Sequence, residues 1–299
     1  MSQIGLEGMP QALFSCSPSK LMTWVDCPRR FRLQYLEKKR SSFSWAHNSL
    51  GSSAHIALSK WFDLEIDQRT SEAGVALVAR SWVSDGFRDE SQSEMWQHRV
   101  ADMVATYLKG VDPTVEPIAR ERQVAFTSES LAMAGKVDRV DLEHDGDGEH
   151  AVVIDYKTGK HILTDDDART SLALAAYVLG VRRTLKKRCF RVELHHLPSN
   201  QVASFEHTEE SLARHLSRAN SIGREAQSAS QEFATIDQAI QNGEAQAIEK
   251  ADALFPARAG ALCGWCDMWR WCETGQQAAA LKQSWSGLAQ ELDVPEFVE

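Results

Sequence analysis

Asp138, Asp155 and Lys157 are the residues of this chain whose types and spacing could do chemistry together. Asp155 and Lys157 fall two apart in Val153-Ile154-Asp155-Tyr156-Lys157-Thr158-Gly159, and Asp138 sits in Gly135-Lys136-Val137-Asp138-Arg139-Val140-Asp141. In a strand, residues two apart share a face, so Asp155 and Lys157 point one way while Ile154 and Tyr156 point the other. Two carboxylates can hold a hard divalent cation such as Mg²⁺. Such a cation lowers the pKa of a bound water and stabilises charge on a phosphate oxygen. Lys157 can then orient the water or neutralise the developing charge. The plainer alternative is a hairpin with a surface Asp–Lys pair, since most exposed charge pairs are only solvated. Asp138 on the neighbouring strand weighs against it, because a polar group at the edge of an apolar sheet is costly unless paired or metal-bound.

The elements that must position these residues follow from pattern. Leu131 to Leu142 is rich in β-branched and apolar residues, Ala151 to Ile154 is a short apolar run, and Asp145-Gly146-Asp147-Gly148 between them is a turn signal. Ile118 to Phe126, which contains Glu121, and Cys189 to Leu197 also read as strands. Ahead of them, Ser17-Pro18-Ser19 is a helix start with proline in the first turn, and a second helix opens at Pro28. After the Leu50 to His55 stretch, helical periodicity continues through Ile56, Leu58, Trp61 and Phe62, and Ser71 to Phe87 and Trp96 to Leu108 read as further amphipathic helices. Asp165-Asp166-Asp167 suits a helix N-terminus rather than a metal site, and that helix should run on through Leu172 to Leu179. His195 and His196 have no ligand-like partner in sequence and read as structural, and Ser211 to Ser230 is a polar helix. The expected architecture is α/β, a mixed central sheet wrapped by helical ends. It is a single domain with a helical part over 1–115, a core over 116–206 and a helical part over 207–299.

The composition is that of a soluble globular protein, 43% hydrophobic and 25% charged over 299 residues. Met1 to Phe14 lacks the basic and apolar regions of a signal peptide, and no run approaches a membrane span, so a cytoplasmic location with no membrane contact is expected. The net charge of −9 argues at first against nucleic acid, but total charge is a poor guide where charge is clustered. Two segments are basic: Arg29, Arg30, Arg32, Lys38, Lys39 and Arg40, and then Arg182, Arg183, Lys186, Lys187, Arg188 and Arg191. Each could be a solvated element end or a phosphate track.

Three of the six cysteines crowd together as Cys263, Cys266 and Cys272. In a cytoplasmic chain this spacing favours metal ligation over disulfides. Four thiolates satisfy tetrahedral Zn²⁺ or an iron–sulfur cluster. Spacing does not decide whether Cys27, Cys16 or Cys189 is the fourth ligand. With Cys27, the metal would tie the two chain ends together and its binding energy would become folding energy.

Taken in order, these pieces resemble the RecB-type branch of the PD-(D/E)XK nuclease superfamily, and more narrowly its iron–sulfur exonucleases, which include the CRISPR-adaptation nuclease and the AddB nuclease domain. The resemblance rests on Ser17-Pro18-Ser19-Lys20 with Cys27-Pro28-Arg29-Arg30-Phe31, Gly51 and His55, the Gly135 to Asp141 and Asp155 to Gly159 stretches, Tyr177 and the cysteine triplet. It implies a restriction-endonuclease-like fold whose helical N- and C-terminal segments are joined by a metal cluster. It implies that His55, Asp138, Asp155 and the Tyr156 carbonyl ligate a catalytic Mg²⁺ or Mn²⁺. Lys157 would act on the water, Glu121 would assist, and Tyr177 would belong to the catalytic set. Cys27, Cys263, Cys266 and Cys272 would hold a [4Fe–4S] cluster, with structural Zn²⁺ as the alternative. One position departs from the family pattern: Ala173 stands four residues before Tyr177, where the family usually carries glutamine.

The implied activity is a metal-dependent DNA exonuclease acting at single-stranded ends in DNA repair, recombination or defence. Arg29 to Arg40 would track phosphates, with Trp24 and Tyr35 available for stacking. The alternative is a DNA-end-binding or scaffold subunit with weak or no cleavage. No Gly-x4-Gly-Lys-[Ser/Thr] loop is present, so a helicase motor would be another chain, and a helicase or CRISPR-adaptation protein is the expected partner.

Overall fold

The computed structural model describes residues 12–41, 43–146 and 148–288. Most of the Met1 to Phe14 stretch, Ser42 and Asp147 therefore lie outside the described residues. The chain opens with a short strand β1 (Phe14–Cys16), then α1 (Pro18–Asp26) and α2 (Pro28–Phe31). Ser17 caps α1 by accepting from the Lys20 amide, with Pro18 in the first turn, where its missing N–H is not needed. A π-helical turn, Arg32–Leu36, continues α2. Then come α3 (Ala46–Trp61), α4 (Ser71–Arg80) and α5 (Glu90–Leu108).

The sheet follows as β2 (Ala119–Thr127), β3 (Leu131–Asp145) and β4 (Gly148–Lys157), the last two joined through the Asp145–Gly148 turn. After α6 (Asp165–Thr170) and α7 (Leu172–Thr184) it is completed by β5 (Cys189–His196) and β6 (Gln201–Glu206). The chain ends in the 33-residue α8 (Glu209–Gln241), α9 (Ala245–Leu254), two 3₁₀ turns carrying the cysteine triplet, and α10 (Glu273–Ala278).

Pairing among the described strands is mixed. β2, β3 and β4 are antiparallel neighbours, β4 and β5 are parallel, and β5 and β6 are antiparallel. β1 runs parallel to the first residues of β3, on the edge that β4 occupies further along. β4 is buried on both faces, as a central strand should be. Val152, Ile154 and Tyr156 pack against α3, α4 and α5, while Ala151 and Val153 pack against α7. A third apolar layer joins α1, α8 and α9 to the start of β3.

Four expectations need correction. β1, placed in the helical N-terminal part, is a strand of the central sheet; three residues are too few for alternation to show. β6 was not anticipated. The helix expected over Ser71 to Phe87 ends at Arg80. The single helix expected from Asp165 to Leu179 is two, because Ser171 adopts extended backbone and its side chain caps the Leu174 amide. Of the three aspartates, one takes part in the cap expected of them, and all three lie in the first turn. Asp167 completes a capping box with Thr164, Asp166 pairs with Arg169, and Asp165 accepts from the Ser204 amide.

Candidate active site

The sheet forks. β3 and β4 stay paired only as far as Arg139 opposite Ile154, and the next residues of β4 pair with β5 alone. The Tyr156 amide, released from β3 at this crotch, would be an unsatisfied donor. Asp138 answers it, its Oδ2 accepting that N–H at 2.9 Å. The other oxygen, Oδ1, lies 3.3 Å from Nδ1 of His55, which α3 brings over the fork. His55 Nε2 in turn donates to the Tyr156 carbonyl at 3.2 Å.

Glu121 enters from β2. It falls between the Arg120–Arg139 and Arg122–Val137 pairs, opposite Asp138, with a left-handed backbone at φ 45°. For a residue with a Cβ in mid-strand this is strain of about 1–3 kcal/mol. One Glu121 oxygen lies 3.8 Å from His55 Nδ1, and the other is paired with the Lys136 ammonium. One ligand atom each from His55, Glu121 and Asp138 falls within 4.8 Å of the others. A group of this composition can hold a hard or borderline divalent ion.

Asp155 stands beside that trio rather than in it. Its Oδ2 is buried and accepts no well-angled hydrogen bond, meeting instead the Lys157 ammonium at 2.5 Å. The shared face expected of Asp155 and Lys157 is therefore present. Burial pushes the Asp155 carboxyl above its ordinary value, against the pull of Lys157 and with the push of Asp138. Burial disfavours a charge on His55, but hydrogen bonding and charge from Asp138, with Asp155 and Glu121 behind it, raise the imidazole above its ordinary value. The fork thus sets three carboxylates against the Lys136 and Lys157 ammoniums, and the charge that draws a proton onto His55 would equally favour a divalent ion.

Tyr177 reaches the same place from α7. A Cβ on Gly135 would sit 2.7 Å from Tyr177 Cε1 and 3.4 Å from Pro18 Cδ, so the glycine makes room for both the ring and the start of α1. Burial, then Asp155 and Asp138, push the Tyr177 phenol up to about 12. Behind the fork, Arg139 makes two hydrogen bonds to Asp141 and stacks over Phe62 at 4.5 Å. Tyr107 joins it to His195, which bonds Glu193. His196 bonds Ser199 and the Gly159 carbonyl. Both histidines thus have the structural partners expected of them. A groove of about 490 Å³ opens from His55 and Lys157 past Ser52, Asn48 and Lys160.

The three cysteines singled out by spacing and Cys27, added by the resemblance, also meet. Cys27, Cys263, Cys266 and Cys272 line one cavity with Leu33, Met268 and Trp269. Burial raises the Cys266 thiol above its ordinary value, opposed in part by a hydrogen bond from the Met268 backbone and by Arg30. Cys16 and Cys189 are buried and line no part of that cavity.

Several cations of the two basic segments are already paired within the protein. Arg29 and Arg32 both bind Asp252, Arg30 binds Asp267, and Trp24 is buried edge-on between Phe31 and Phe255. In the second segment Arg182 binds Glu209, Lys187 binds Glu149 and Arg191 binds Glu193. Sequence shows a run of cations but not the distant carboxylates that fold onto it. Reading the residues also gave Glu121 only a supporting place. Its left-handed backbone is invisible in sequence, although the register opposite Asp138 would have put it on the fork.

A mixed sheet flanked by helices, forked beside gathered acids and with a lysine two residues beyond the last of them, is the restriction-endonuclease-like architecture. The family model of the PD-(D/E)XK nuclease superfamily matches residues 15–273. The chain belongs to that superfamily. It is similar to one of the subunits of the ATP-dependent helicase/deoxyribonuclease of Clostridioides difficile (strain 630), 24% identical over 208 residues. That match covers 58% of this chain and 18% of the relative, so the chain spans under a fifth of the relative's length. A crystal structure from Eubacterium rectale, titled as that of an exonuclease, superposes with a TM-score of 0.41 and 10% identity. The superposition covers 69% of this chain and 77% of that one, a likeness too low to bear on fold or function.

Proposed function

We propose that this protein is a divalent-metal-dependent deoxyribonuclease that hydrolyses phosphodiester bonds at single-stranded DNA ends. The observation that carries the reading is the convergence of His55, Glu121 and Asp138 within 4.8 Å at the fork, with Asp155 and Lys157 at its lip. His55, Glu121, Asp138 and Asp155, with the Tyr156 carbonyl, would hold Mg²⁺ or Mn²⁺. A bound ion would supply a more acidic water and charge neutralisation at the phosphate. Lys157, half-exposed on the groove, holds a cation where an attacking water or phosphate oxygen would lie. Asp138 accepts the Tyr156 N–H and His55 meets the Tyr156 carbonyl, so both backbone groups of this residue are held at the fork. Tyr177 walls the carboxylates on the α7 side.

A [4Fe–4S] cluster on Cys27, Cys263, Cys266 and Cys272 is the second part of the reading. The observation behind it is that the four thiols line one cavity, and four thiolates satisfy either such a cluster or tetrahedral zinc. A brown preparation with visible charge-transfer absorption supports it; a colourless one with stoichiometric zinc refutes it.

The name of the Clostridioides relative motivates a helicase as partner. No described helix is long and apolar enough to cross a membrane. Ala173, with no polar group to offer substrate, favours one competing reading: a DNA-end-binding protein that does not cleave. End-labelled single-stranded DNA, incubated with and without Mn²⁺ or Mg²⁺, separates the two. Metal-dependent shortening by wild type is expected, with a loss of at least ~100-fold in Asp138→Ala and Lys157→Ala. Binding without products by wild type, or normal cleavage by both variants, ends the nuclease reading.

A further inference from the structure

Away from the fork, the end of α6, β6 and the first turns of α8 enclose a pocket of about 240 Å³. Arg214 and Arg218, one helical turn apart on the exposed side of α8, both line it, and so does Arg169. None of the described residues lining it is acidic, in a chain with 42 acidic residues against 33 lysines and arginines. Arg169 is partly engaged by Asp166 at 2.6 Å, and Arg214 is sensed by Glu210 one turn earlier. Arg214 and Arg218 thus bring two exposed guanidiniums to one side of the pocket, where an anion would meet both.

The rest of the pocket is not that of a bare ion site. Phe205 lines it from β6, its ring edge-on to His207 at 5.0 Å, and His207 is in turn edge-on to His215 at 5.4 Å. His215 Nε2–H donates to the Arg169 carbonyl at 3.0 Å, tying α8 to the end of α6. Cations beside an aromatic ring match a phosphate joined to a sugar and base. The volume is below the roughly 300–1,000 Å³ of drug-sized sites.

We propose that this pocket binds one nucleotide unit through its phosphate. The unit belongs either to a polynucleotide strand, which rests on the nuclease reading above, or to a free nucleoside monophosphate, which does not. Arg214 and Arg218 hold the phosphate, and Phe205 takes the apolar part.

The test uses the full chain in metal-free buffer with chelator, so that nothing is cleaved. Wild type and Arg214→Ala/Arg218→Ala are titrated with fluorescent oligothymidylate over a range of salt, and separately with thymidine 5′-monophosphate by calorimetry. Both arginines are exposed, so the thermal midpoint of the variant should match wild type. If a strand fills the pocket, oligothymidylate affinity falls about tenfold and the salt slope becomes shallower by about 1–2. Cleavage of a small chromogenic thymidine phosphodiester with Mn²⁺ should then be unchanged. If a free nucleotide fills it, wild type binds the monophosphate and the variant does not. Unchanged affinity for both ligands overturns the proposal. Monophosphate binding by a protein that cleaves nothing would sink the nuclease reading and leave this one standing.

Discussion

The fork and the thiol pocket both gather metal-binding side chains, yet they are built in opposite ways. At the fork, Glu121, Asp138 and Asp155 lie on three adjacent strands, and backbone ladders on either side fix their positions. In the thiol pocket, Cys27 follows a helix near the start of the chain, while its companions lie more than two hundred residues later on short 3₁₀ turns. Its backbone hydrogen bonds are mostly short-range turns rather than ladders, and side chains tie it to the rest of the chain. Trp45 and Arg30 reach Asp267, and Arg29 reaches the Phe255 carbonyl. On the proposed reading, a metal at the fork would sit on a preformed frame, whereas a cluster in the thiol pocket would join distant parts of the chain. Removing metal should then leave the first region folded and loosen the second.

The largest expected effect sharpens that contrast. Cys263→Ser/Cys266→Ser should lower the thermal midpoint by about 10 °C and expose the segment after Pro256 to limited proteolysis. Asp138→Ala should shift the midpoint far less. Equal melting and equal protease resistance for the two variants would erase the distinction.

A smaller effect is expected from Gly135→Ala. Its new methyl meets the Tyr177 ring at a distance no packed carbon pair tolerates, so the tyrosine must move off the carboxylates. Cleavage should fall about tenfold, and Gly135→Ala/Tyr177→Ala should cost no more than Tyr177→Ala alone. Full additivity of the two losses would show that the glycine serves something else.

The smallest effect is in pH dependence. The folded-state pKa values of His55 and Asp155 are both raised. Each therefore adds stability that is complete below its ordinary value and is lost as pH rises through the raised one. The metal-free protein should melt a few degrees lower at pH 8 than at pH 6, and Mn²⁺ should restore the difference. His55→Asn should flatten the metal-free slope. A slope unchanged in that variant would remove His55 from the charge balance at the fork.

How much of this was legible beforehand depended on the range of the interaction. Strand alternation placed Asp155 with Lys157, and turn chemistry at Asp145–Gly148 placed Asp138 near them, because both are local. Cysteine spacing identified three thiols and the resemblance added Cys27, and the folded chain lines all four on one cavity while leaving Cys16 and Cys189 elsewhere. The partners of the arginine runs were not legible. Asp252 pairs with Arg29 from 223 residues away, and nothing in a linear pattern marks such a partner. The break at Ser171 was missed because the apolar periodicity runs on across it, and serine's preference for capping is a weak signal against a long amphipathic stretch.

Glu121 bears on how such a protein would respond to selection. Its backbone would relax if position 121 carried glycine or asparagine, which tolerate that twist. A population screened for heat tolerance alone would be expected to drift to those residues and give up a carboxylate at the fork. On the proposed reading, glutamate at this position exchanges robustness for a carboxylate at the fork.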